Sequence, residues 1–194
     1  MPVQARLLRN EVLPFVMYLV ALVVSTLLID AALHLLNIVW IGRWLGIPGV
    51  LLILGSFGYS MRKRKLIHRG QPATLLRWHE VLAWLGSLLI LVHAGVHFNA
   101  ILAWLAVGAM LINVASGLTG KFLIARSRRR LEEARQRMRD QGLPADELAE
   151  RTYWDSMTFD AVKQWRVVHF PITLAFGVLG LAHIIATFLF WGWN

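Results

Sequence analysis

The sequence predicts an all-α membrane protein, a bundle of five transmembrane helices. Three observations lead there. Of 194 residues, 57% are hydrophobic, and the mean hydropathy is +0.57, more apolar than a soluble domain of this length usually is. The apolar residues fall into long runs, several near the roughly 20 residues an α-helix needs to cross a bilayer. Finally, the 20 Lys and Arg outnumber the 11 Asp and Glu, for a net charge of +9, and they crowd between those runs. A balance this basic could suggest nucleic acid. Placed beside apolar spans, however, the basic residues act as topology signals, so the expected contact is membrane lipid and not nucleic acid.

The elements follow in order. Met1 to Glu11 is a polar lead carrying Arg6 and Arg9. The apolar run after it is too long for a cleaved signal peptide, and no small-residue cleavage site follows. Span 1 is predicted over 12–36, with Pro14 in its first turn, where a missing N–H costs little. Asp30 and His34 lie one turn apart near its far end. Span 2 is predicted over 40–61. Arg43 interrupts it and is expected to snorkel to the interface, while Gly49, Gly55 and Gly58 would allow close helix packing. A basic run from Arg62 to Arg77 precedes span 3, predicted over 78–98. Span 4 is predicted over 101–124; its Ser116, Gly117, Thr119 and Gly120 suit helix contact or a flat cofactor. Residues 125–164 read as a polar helical loop, broken at Gly142, Leu143 and Pro144, and serve either as a docking surface or as a solvated loop. Span 5 is predicted over 167–191.

Counting charges orients the bundle. Two Lys or Arg precede span 1, six lie between spans 2 and 3, and eleven run from Lys121 to Arg166; only Arg43 falls on the other side. The positive-inside rule therefore expects the N-terminus and both basic loops inside and the C-terminus outside. Spans 3 and 5 then run in the same direction.

That direction matters for the histidines. His79 and His93 are 14 residues apart in span 3, and His169 and His183 are 14 apart in span 5. Fourteen helical residues rise about 21 Å and turn through about 1400°, about 40° short of four turns, so each pair shares one face. On parallel spans the four imidazoles form two levels. Intramembrane ionisable residues usually mark function, and this set suits two stacked bis-histidine haems, His79 with His169 and His93 with His183. The chain has no cysteine, which excludes disulfides, cysteine-ligated iron–sulfur clusters and covalent c-type haem. Gly86, Gly177 and Gly180 lie between the paired histidines, where they would admit a flat porphyrin or serve ordinary helix packing. His97, one turn past His93, is the alternative outer ligand; a zinc pair of His93 and His97 would lack further ligands. Arg77 and Arg166 precede the inner histidines and suit either haem propionates or lipid headgroups. Trp78, Trp165, Trp191 and Trp193 fit an aromatic interface belt.

This His-x13-His pattern on two parallel spans resembles the transmembrane domain of the ferric reductase and NADPH oxidase superfamily. It resembles equally the cytochrome b of bc complexes. The likeness covers about Arg77 to Asn194. It implies that His79, His93, His169 and His183 are axial ligands of two haems b stacked across the membrane. There is no flavin or nicotinamide domain and no glycine-rich phosphate loop, so a complete reductase is not expected, and the chain is short for a bc-type cytochrome b. The expectation is a small diheme cytochrome b, an integral multi-pass protein of a bacterial inner membrane. It would be the electron-transfer subunit of an oxidoreductase, exchanging electrons with a quinone or with an iron–sulfur, flavin or cytochrome c partner. Glu80 and Asp30 are candidate proton-handling or interface residues. The alternatives are a quinol-dependent ferric reductase standing alone, or a membrane anchor without redox chemistry.

Overall fold

In a computed structural model of the protein, the described residues are 12–66, 68, 70–95, 101–124, 133, 136, 140 and 153–190; the side chains of 123, 124, 153–163 and 166 are not among them. His97, Trp191, Trp193, most of the 125–164 loop and the Arg166 side chain thus lie outside the described residues. Every regular element among the described residues is helical. In order these are α1 (Leu13–Leu35), α2 (Val39–Trp44), α3 (Gly46–Ser56), α4 (Gly58–Lys63), α5 (Pro72–Gly95), α6 (Ile101–Leu118), a π-helix (Thr119–Ile124) and α7 (Tyr153–Phe190).

Five helical segments are long and apolar enough to cross a membrane: Leu13–Leu35, Val39–Lys63, Pro72–Gly95, Ile101–Phe122 and Val167–Phe190. Leu27, Leu28, Leu174, Val178, Leu181 and Phe188 are all exposed. Rows of exposed apolar side chains on this scale suit a lipid-solvated helix and not a water-solvated one.

Three elements differ in detail from the sequence prediction. Span 2 is not one smooth helix. Pro48 lacks an N–H and its ring crowds the carbonyl four residues back, at Trp44, so the chain turns at Leu45; there the Leu45 N–H donates to the Gly42 carbonyl at 3.3 Å. A second turn falls at Phe57, whose N–H reaches Leu54 at 3.1 Å, next to Ser56, whose hydroxyl donates to the Ile53 carbonyl at 2.7 Å. Span 3 starts earlier than predicted, at Pro72, because proline is well suited to a first helical turn. His79 therefore sits two turns into α5. Span 5 is the C-terminal part of one 38-residue helix that passes through Pro171. From Tyr153 onward the segment predicted as part of the 125–164 loop is continuous with it, since no glycine or proline interrupts 153–170.

Two turns close in the same way. Asn37 (φ 54°) and Lys65 (φ 61°) are left-handed. The Ile38 N–H donates to Leu33 at 2.9 Å and the Leu66 N–H to Met61 at 3.0 Å. These are Schellman closures, which satisfy carbonyls that a helix end leaves unpaired. Asparagine tolerates this conformation, but lysine is strained in it. Lys65→Gly is therefore expected to stabilise the fold by about 1 kcal/mol, measured as a higher midpoint of unfolding in mixed micelles.

By its internal contacts the chain divides into two units, Met1–Tyr18 with Ala115–Ile172, and Leu19–Val114 with Thr173–Asn194. Within the second unit, α2 to α4 pack antiparallel along α5 through a small-residue seam. Gly42, Gly49 and Ser56 are buried on one side and Gly86, Ser87 and Leu88 on the other. At its centre a Cβ on Gly86 would lie 2.9 Å from the Gly49 carbonyl oxygen and 2.9 Å from Ile53 Cγ1. Close backbone approach of this kind is how small residues hold membrane helices together.

Candidate functional site

In the second unit, α5 delivers two histidines to the seam, and the neighbouring chain receives both. The His79 Nδ1–H donates to the Ser56 carbonyl at 2.9 Å. The His93 Nδ1–H donates to the Gly42 carbonyl at 3.3 Å. A carbonyl oxygen can only accept, so in the neutral ring the proton is on Nδ1 and the lone pair is on Nε2. Tyr59 flanks His79, with ring centroids 6.1 Å apart. Gly46 flanks His93: a Cβ there would lie 3.0 Å from Cδ2 and 3.1 Å from Nε2. Both accepting carbonyls fall near the turns at Leu45 and Phe57, where the helical hydrogen bonding is altered. Gly42 and Ser56 are 14 residues apart, as His79 and His93 are.

His183, the predicted outer partner of His93, lies on α7 and belongs to the same unit. On α7, Gly177 and Gly180 face open space: a Cβ at either would meet nothing within 4 Å. Their faces leave room for a flat group. The corresponding face of Gly86 is already filled by Gly49 and Ile53, so this glycine serves helix packing. Thr173, in the same helix, donates to Asn113 Oδ1 at 2.8 Å.

The first unit holds His169. Its Nδ1 is 3.0 Å from Ser116 Oγ. Trp165, one turn earlier, stacks on the imidazole with centroids 5.2 Å apart and planes 20° apart. Its indole N–H donates to the Ser116 carbonyl at 2.8 Å, and a Cβ on Gly120 would overlap the ring. Ser116 and Gly120 thus seat an aromatic pair, the helix-contact role that the sequence left open beside a cofactor role. Trp165 supports the histidine, which its reading as an interface-belt residue does not capture. Thr119 Oγ1 donates to the Ala115 carbonyl at 2.9 Å, back-bonding that accompanies the change from α- to π-helix at Thr119. Downstream, Lys121 Nζ lies over Tyr18 and Phe122, 5.1 and 5.4 Å from the centroids.

The other predicted residues are placed as follows. Arg77 is exposed on α5. Arg166 and His97 lie outside the described side chains. Asp30 packs on the backbone of Gly95, whose Cβ would lie 3.5 Å from Asp30 Oδ1. That oxygen is buried without a hydrogen bond, and His34 Nδ1 is 3.7 Å from it. Sequence reasoning missed the part played by span 2 and by Trp165. The equal 14-residue spacing of Gly42 and Ser56 was the available signal for the first, and the aromatic one turn before His169 for the second.

Comparison with protein-family models, with curated proteins and with solved structures finds no match. The helices themselves define the class: every regular element among the described residues is helical, and five segments are long and apolar enough to cross a membrane, as in a multi-pass membrane protein. Three of its histidines, His79, His93 and His169, have their Nδ1 atoms against neighbouring helices.

Proposed function

We propose that this protein is a diheme cytochrome b, an electron-transfer subunit that carries electrons across a membrane. His79 with His169 and His93 with His183 would be the axial ligands of an inner and an outer haem b. The observation that carries this reading is the way the histidines are held. A metal-ligating histidine characteristically donates its second ring N–H to a carbonyl or other oxygen, which fixes the tautomer and aims the ligating nitrogen. His79 and His93 do this, and His169 has Nδ1 on Ser116 Oγ. The open faces of Gly177 and Gly180 suit a flat group at the outer level, where His93 and His183 are matched by the same 14-residue spacing. The inner pair rests on the matched 14-residue spacing.

Haem supplies one-electron redox chemistry at iron. The four histidines would hold the two irons through their imidazole lone pairs, and the contacts to Ser56, Gly42 and Ser116 orient three of the rings. A quinone or a redox partner subunit is the proposed source or destination of the electrons, with the N-terminus and basic loops on the inner side of a bacterial inner membrane.

A reduced-minus-oxidised visible spectrum of the protein, purified from haem-replete cells, tests the proposal. The expected result is a b-type spectrum. A flat difference spectrum would remove the cytochrome reading and leave a membrane anchor. Quinol-driven reduction of ferric iron by the isolated protein in liposomes would make it a complete reductase instead of a subunit.

A further inference from the structure

The segment before the haem-bearing span has no histidine of its own, yet it touches both histidines of α5. Two backbone carbonyls, Gly42 and Ser56, accept the two Nδ1–H groups. They are separated along α2–α3 by the same 14 residues that separate the histidines along α5. Antiparallel packing then needs no adjustment to satisfy both bonds. The Gly49–Gly86 approach pins the middle of the register. Gly46 gives the His93 ring a flat backbone floor, where a Cβ would press on Cδ2, Cγ and Nε2 at 3.0 to 3.1 Å.

We propose that Val39–Lys63 is a positioning clamp: its backbone sets the tautomer and the ring plane of His79 and His93 before any cofactor arrives. The inference deepens the cytochrome reading and rests on it for the purpose of the lone pairs. The clamp itself rests only on the contacts between α2–α3 and α5. Each ring is fixed as the Nδ1–H form, so in each the lone pair is on Nε2. A ring held by its far nitrogen is also a more basic ligand. Backbone carbonyls make a suitable clamp because, unlike side chains, they have no rotamers to populate. Gly46 and Gly49 are positioning residues that act through His93 and through the seam.

The test is ¹⁵N-histidine NMR of the full-length chain, produced in cells unable to make haem and held in detergent at a pH where histidine is neutral. Single His→Gln variants assign the signals, and exposed His68 is the solvent-averaged reference. The clamp predicts that His79 and His93 both carry their proton on Nδ1. In Gly46→Ala, His93 loses that signature while His79 keeps it. In Gly55→Ala, where the new Cβ would meet only Leu82 Cδ1 at 3.6 Å, both signatures persist. A proton on Nε2 of either histidine in the wild-type chain would overturn the proposal, whatever the variants do. Equal disturbance of His93 by Gly46→Ala and Gly55→Ala would overturn the role of Gly46. Because the readout needs no haem, the clamp and the cytochrome reading fail independently. A chain that never binds haem can still show both tautomers, and a chain that binds two haems can still show the wrong ones.

Discussion

Alanine at His93 or at His183 is expected to remove one of two haems and leave the other in place. On the proposed ligation each substitution would take away one axial nitrogen of the outer level, and a porphyrin held from both sides by imidazole would lose half of its protein attachment. His93 and His183 are proposed to hold the same haem, so the two variants are expected to behave alike. The double variant is then expected to lose no more haem than either single one, the non-additivity of residues that act as a unit. Alanine at His79 or His169 is expected to spare the outer haem and remove the inner one. His97→Ala separates the remaining assignment: retention of both haems identifies His93 as the outer ligand, and loss of the outer haem transfers that role to His97. Haem content per chain and the difference spectrum of each variant provide the check.

The second large effect is expected at Gly86. Its Cβ position is already occupied, with the Gly49 carbonyl oxygen and Ile53 Cγ1 each 2.9 Å away. Backbone cannot give way as a side-chain tip can, so Gly86→Val forces α5 off the α3 seam. Overpacking of this kind costs about 1–3 kcal/mol. The seam also carries both His–carbonyl bonds, so the variant is expected to lower haem content at both levels as well as the unfolding midpoint in mixed micelles. Gly58→Ala is the control, since a Cβ there meets nothing within 4 Å. Unchanged stability in Gly86→Val would mean that the seam does not hold these helices together.

Much of the fold could be read in the apolar runs, because helices in lipid must satisfy their own backbone and so show their length in the sequence. Spans 1, 2 and 4 and the apolar part of span 5 agree with the predicted bounds within two residues, while the start of span 3 does not. Pro72 begins α5 six residues before the apolar stretch at Trp78, since a helix can continue into a polar flank that carries no hydropathy signal. Tyr153–Phe190 likewise joins a polar segment to an apolar one without a break. The turns at Leu45 and Phe57 were hidden because Pro48, Ser56 and Gly58 read as ordinary members of an apolar run. Of the site, helical periodicity places His79 and His93 on one face of α5, and both meet the same neighbouring segment. The surroundings of the site could not be foreseen. The glycine of α5 expected to flank a cofactor is covered by Gly49 and Ile53, and the carbonyls that hold His79 and His93 carry no sequence identity at all. Backbone acceptors are visible only when two helices are seen side by side.

The central claim is a pair of haems on four histidines. Pyridine haemochrome quantification of the purified chain, normalised to protein by amino-acid analysis, tests it most directly. The account predicts about two haems b per chain, since each bis-histidine level holds one. One haem per chain, lost equally on substitution of His79 and of His93, would contradict the two-level arrangement, and no haem would contradict the account as a whole.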